Sequence, residues 1–111
     1  MILDVTDSSL DVRETDDFRR LHVEVPELPA TGVVLAVLRD SNLVAAIDGT
    51  EILLHAHVLR QAAGSAHGSD WHSSFDVMLR YAATKGWYDE TCGTIRVHCQ
   101  ARRPGDTANR P

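Results

Sequence analysis

Histidine is the chemically versatile residue in visible excess: His22, His55, His57, His67, His72 and His98. His55-Ala56-His57 is the sharpest pattern. On an extended strand alternate residues share a face, so two imidazoles at this spacing can grip one ion. A third nitrogen would come from His98 or His22, both expected to point outward from their own strands. Zinc, nickel or iron accepts such a set. The candidate metal ligands are therefore His55, His57 and His98. No carboxylate flanks the pair closely, and neither His-Glu-x-x-His nor Cys-x-x-Cys occurs. Surface or capping histidines are the competing assignment, and a helix starting at residue 56 would destroy the shared face.

A second constellation joins the outward positions of two predicted strands, His22 and Glu24 on one, Arg96 and His98 on the other. If the strands are neighbours, cation and carboxylate meet across the ladder. Such pairs are modest stabilisers. The same four groups are candidates for holding a small anion or shuttling a proton, because imidazole titrates near neutrality. Trp71 and Trp87 bracket the longest predicted helix and are candidate pocket walls, or clamps of that helix on the sheet.

Nucleophilic chemistry is thinly supplied. There is no Gly-x-Ser-x-Gly elbow, and Gly64-Ser65-Ala66-His67-Gly68 lacks the Gly-Lys-Ser/Thr ending of a phosphate loop. Cys92 sits beside Asp89 and Glu90, which raise a thiol pKa and blunt it. Cys99 reads as core. Catalytic residues are not assigned, and no cofactor is predicted beyond the alternative of a divalent transition metal.

The elements that must position these groups follow from periodicity. Arg19–Val25 alternates, with Leu21, Val23 and Val25 on one face and His22 and Glu24 on the other, and Pro26 and Pro29 stop it. Thr31–Leu38 and Leu43–Ile47 are apolar on both faces and read as buried strands. Asp48-Gly49 predicts a hairpin into Thr50–Leu54, because glycine accepts the positive φ of a tight turn. Residues 19–55 thus read as a three- or four-stranded antiparallel meander. A short helix over Ala56–Ala63 follows, ended by Gly64, the alternative being one helix from a Thr50 cap to Gly64.

Phe75, Met78, Leu79, Ala82 and Ala83 form a helical stripe. Asp70 or Ser73 would cap that helix. Gly86 ends it, so that Trp87 folds back on Ala82. Thr94–Gln100 alternates again, with Ile95, Val97 and Cys99 inward. The expected fold is α+β: an antiparallel sheet, the meander plus a C-terminal strand, with two helices on one face. Residues 1–17 read as an acidic, partly mobile arm with a short strand at Ile2–Val5. Residues 18–100 read as one domain and 101–111 as a disordered tail.

Composition bounds the rest. The chain has 111 residues and a formal net charge of −5, which suits one domain. Residues 1–50 carry ten acids against four arginines, so the acidity belongs to the N-terminal half. No concentrated basic face exists, which argues against nucleic acid and against anionic membrane surfaces. No apolar run reaches the roughly 18 residues of a membrane span. The opening residues lack a basic region followed by an apolar core, so no secretory leader is expected. A cytoplasmic setting is expected, with both cysteines reduced. Ten of the eleven basic residues are arginine, a bias common in GC-rich bacterial coding.

Strands apolar on both faces need cover on both sides. Two helices cover one, so a homodimer through the apolar sheet face is expected, with another protein partner as the alternative. The resulting expectation is a non-enzymatic accessory or binding protein. The alternative is a metal-binding protein or small metal-dependent enzyme using His55, His57 and a third histidine.

Overall fold

The computed structural model describes residues 1–28, 32–65 and 67–102. Pro29, Thr31, Ala66 in the loop after Gly64, and the expected tail beyond Arg102 lie outside the described residues. The elements, in chain order, are β1 (Ile2–Val5), β2 (Leu10–Arg13), a 3-10 turn (Phe18–Arg20), β3 (His22–Val25) and α1 (Gly32–Asp40). Then come β4 (Val44–Asp48), β5 (Glu51–His55), α2 (Ala56–Gly64), α3 (Ser69–Thr84), β6 (Tyr88–Asp89) and β7 (Thr94–Ala101).

The strands form one seven-stranded sheet in the order β2-β1-β3-β7-β5-β4, with β6 pairing separately to β7. The sheet is mixed. β1 with β3 and β3 with β7 run parallel; β1–β2, β4–β5, β5–β7 and β6–β7 run antiparallel. This corrects the expectation of a purely antiparallel sheet with two helices, since three helices are present among the described residues. A meander from 19 to 55 would put β3 beside β4. Instead β3 sits between β1 and β7, and α1 breaks the run.

The largest local correction is residues 33–38, expected as a strand and found within α1. A short apolar run has the same appearance in a buried strand and in a buried helix, because no polar residue marks the period. The helical assignment shows in the burial. Leu38 is buried, Val34 and Val37 are half-buried, and Val33 and Ala36 are exposed, as one helical face requires. One premise of the dimer expectation, a two-sided apolar strand at 33–38, is thereby withdrawn.

In the acidic N-terminal stretch the short strand expected at Ile2–Val5 is present as β1. β1 and β2 form a hairpin, and β1 lies inside the sheet order with Leu3 and Val5 fully buried. At the other end Ala101 closes β7, and the Arg102 N–H donates to the Val25 carbonyl at 2.7 Å.

Several local readings hold. The β4–β5 hairpin turns through Gly49 at φ +61°, with Asp48 paired to Glu51. β5 ends at His55 and α2 begins at Ala56, but α2 runs through Gly64, which has no positive φ, to a C-cap at Ser65. Gly86 has φ +79°, the Trp87 N–H donates to Ala82 O at 2.9 Å and the Gly86 N–H to Ala83 O at 3.1 Å. That pair of bonds is the Schellman closure expected of a glycine after the last helical turn. The start of α3 differs: its N-cap is Gly68, with no side-chain cap.

Register places Leu3, Val23, Cys99, Val97, Ile52, Ile95 and Leu54 on one sheet face. These residues share a single core cluster with Leu38 of α1, Leu59 of α2 and Phe75 of α3. Burying such side chains contributes about 1.5–3 kcal/mol each, as an upper estimate. The opposite face carries Asp4, Arg13, His22, Glu24, Glu51, Arg96 and His98, so the uncovered side of the sheet is charged rather than apolar.

Candidate ligand-binding groove

α3 presents two adjacent stripes. Trp71, Phe75 and Ala82 are buried in the core. One step round the helix, Ser74, Val77, Met78 and Tyr81 line a groove of about 810 Å³. Its other side is the 3-10 turn, with Phe18, Arg19 and Leu21, and its remaining walls are Trp87 and the Ile95–Val97 stretch of β7. This volume lies in the range of roughly 300–1,000 Å³ typical of small-molecule sites.

The sheet order explains why the groove exists. One edge of β7 pairs with β6 at Thr94 and Ile95 and with β3 from His98 onward. Neither strand's ladder reaches Val97. β6 is two residues long, and the chain before β3 turns away as a 3-10 turn. Asp17 caps that turn, accepting the Arg19 N–H on Oδ1 at 3.2 Å. Phe18 anchors it, with its ring 5.4 Å from Trp71 and 6.4 Å from Phe75. At the far end the Schellman closure returns Trp87 to Ala82, and Trp87 O accepts the Arg96 N–H at 2.7 Å. Tyr81 and Trp87 meet edge to face at 6.2 Å.

The lining is apolar with a positive bias. Val77, Tyr81 and Trp87 are 54%, 57% and 47% exposed, and they are three of the five large hydrophobics exposed among the described residues. The lining includes Arg19 and Arg96 and no carboxylate. Arg96 is engaged with Glu51 at 3.1 Å and Asp48 at 3.6 Å. Arg19 makes no ion pair with any described residue. Lys85 Nζ lies 5.6 Å from the Tyr81 ring centroid, adding a cation at the aromatic end.

The residues singled out by sequence fall elsewhere or divide. Trp87 lines the groove, whereas Trp71 is core: its ring stacks on Phe75, and its indole N–H donates to Thr15 O at 2.9 Å. His55 closes β5 while His57 is exposed on α2, and their ring centroids are 6.0 Å apart. The helix beginning at Ala56 removes the alternate-residue geometry that the His-x-His reading needs. His98 pairs in register with Glu51, four residues from His55, about 13 Å along the strand. The structure does not bring these three together, and no group of three His, Cys, Asp or Glu side chains among the described residues is placed to hold a metal ion.

His22, Glu24 and His98 do share the open sheet face, His22 opposite His98 in parallel register. His22 Nε2 is 2.9 Å from Glu24 Oε2, and Nδ1 is 2.7 Å from Arg20 O, so both ring nitrogens are occupied. Arg13 lies 3.6 Å from Glu24 and 3.2 Å from Asp4, and Arg102 pairs with Asp4 on its other oxygen. Arg96 turns to Glu51 and Asp48 instead of joining them. The face is a network of ion pairs, within which Arg13 Nε and Nη2 are buried without a hydrogen-bond partner among the described residues.

Sequence reasoning missed Arg19, Ser74, Val77 and Tyr81. The available signal was the width of the apolar arc on α3: Val77 and Tyr81 extend it beyond the stripe that the core needs. Arg19 was hidden because it was assigned to the start of a strand.

Among the described residues, no helix is long and apolar enough to cross a membrane. Compared with known proteins, the chain matches no family model, no curated protein and no solved structure, so its reading rests on the geometry of this groove.

Proposed function

We propose that this is a non-enzymatic binding protein whose groove between α3, the 3-10 turn and β7 takes a small apolar ligand. The observation that carries the reading is the gathering of Val77, Tyr81 and Trp87, exposed and adjacent, around one concavity. Scattered exposed hydrophobics need no explanation, but a contiguous patch lining a concave surface does. Among the described residues Ser74 is the only aliphatic hydroxyl in the lining, and no imidazole or carboxylate lines the groove to activate it, which supports binding over turnover.

The test is a fluorescence titration with N-phenyl-1-naphthylamine, an uncharged aromatic probe. Saturable one-to-one binding that quenches Trp87 is expected, weakened about tenfold by Trp87→Ala. Absence of saturable binding, or affinity untouched by Trp87→Ala, would overturn the reading.

A further inference from the structure

We infer that the groove selects an aromatic monoanion, with Arg19 receiving the anionic group and the Tyr81–Trp87 end receiving the ring. The inference rests on the groove being a binding site and adds the charge and orientation of its ligand.

Three observations carry it. First, the chain has a net charge of −5, yet among the described residues the groove is lined by Arg19 and by no carboxylate, Arg96 being turned to Glu51 and Asp48 on the open face. Second, the cations differ. On the open face Arg13, Arg96 and Arg102 are each matched to acidic side chains, whereas Arg19 has no such partner among the described residues. A guanidinium presents a planar fork of donors suited to a carboxylate or sulfonate.

Third, Arg19 and the aromatic pair lie at opposite ends, and the one cation near that pair, Lys85, sits over the Tyr81 ring. Phe18, next to Arg19, packs on Trp71 and Phe75 in the first half of α3, and Tyr81 and Trp87 meet at its last turn. From Ser74 to Tyr81 the helix rises about 10 Å. That span matches one or two fused rings carrying one anionic group. A guanidinium with no ion-pair partner among the described residues suits one anionic group at that end of the groove.

The experiment compares two probes of nearly the same ring system, 1-anilinonaphthalene-8-sulfonate and the uncharged N-phenyl-1-naphthylamine. Native protein is expected to bind the sulfonate about tenfold more tightly, a preference that falls with added salt. Arg19→Gln is expected to abolish the preference while leaving the neutral probe's affinity unchanged. Arg19→Lys is expected to retain most of it, and Trp87→Ala to weaken both probes. Thermal unfolding of each variant, within a few degrees of native, confirms that the fold is kept. Equal affinities in the native protein, or a preference that survives Arg19→Gln, would overturn the inference and leave the groove standing. If neither probe binds, both readings fall.

Discussion

The open sheet face and the α3 groove both carry arginine, and they use it in opposite ways. On the open face Arg13 and Arg102 share Asp4, Arg13 also approaches Glu24, and Glu24 in turn holds His22. These side chains are only partly exposed, so each charge has lost some water and gained a partner. In the groove, Arg19 is exposed beside apolar walls and has no ion-pair partner among the described residues. Charge paired with charge within the molecule contributes to holding strands in register. Charge left unsatisfied beside a concave apolar surface is available to something else. The richer cluster of titratable groups is therefore the structural one, and the sparser one is the candidate site.

Substitutions that break one region and spare the other sharpen this contrast. The largest effect is expected from Asp4→Ala, which strands Arg13 and Arg102 together. Removing one member of a half-buried network should cost about 2 kcal/mol, read by urea denaturation. In the same assay Arg19→Gln should shift stability by less than about 0.5 kcal/mol. If the two losses were equal, the division into structural and available charge would fail.

Next is Gly64→Ala. A Cβ there would collide with the Trp71 ring and come within 2.9 Å of His72 Cε1. Displacing Trp71 disturbs the ring on which Phe18 rests, so the 3-10 wall of the groove should loosen. A stability loss of about 1–2 kcal/mol is expected, because overpacking outweighs alanine's better helix propensity. Binding of the naphthyl probes should weaken with it.

Tyr81→Ser comes third. It removes an exposed ring from the groove wall, so probe affinity should fall severalfold while the melting temperature stays within a few degrees. A melting temperature lowered as far as by Asp4→Ala would place Tyr81 in the structural class.

The smallest effect concerns the β6–β7 turn. Asp89 Oδ1 accepts the Thr91 N–H at 2.9 Å and the Cys92 N–H at 3.3 Å, and these donors hold its carboxyl below the usual value of 3.8. A carboxyl depressed by folding contributes stability above its unfolded pKa, and that contribution is lost as pH falls through the lower folded value. The acid side of the stability profile should therefore flatten slightly in Asp89→Asn. The Asp89 charge also pushes the exposed Cys92 thiol above its usual value. Alkylation of Cys92 at neutral pH should thus be faster in Asp89→Asn than in native protein, as mass spectrometry would show. Buried Cys99, whose thiol is raised by desolvation, should stay unmodified in both.

Much of the local structure was legible because its signals are local. Alternation in Thr94–Gln100 marked the buried face of β7, Gly86 marked the turn that brings Trp87 back to Ala82, and Asp48-Gly49 marked the hairpin. The Val33–Leu38 run was not legible, since its β-branched residues favour strands and its helical face appears only against a partner surface. The acidic residues before Phe18 read as solvated because nothing local shows that Asp4 will meet Arg13 and Arg102. The histidines drew attention by type, and His22 proves to be held at both nitrogens.

What the sequence determined alone was the set of faces: which side chains of β3, β7 and α3 turn inward, and where α3 stops. Those depend on periods of 2 and 3.6 and on glycine at positive φ, all readable within a few residues. What only the tertiary structure decided was adjacency. β3 lies parallel to β7, far along the chain, and β6 claims just two residues of the same edge. The space between them, roofed by the second stripe of α3, is the groove. No local period encodes it, because it is made by where two ladders end.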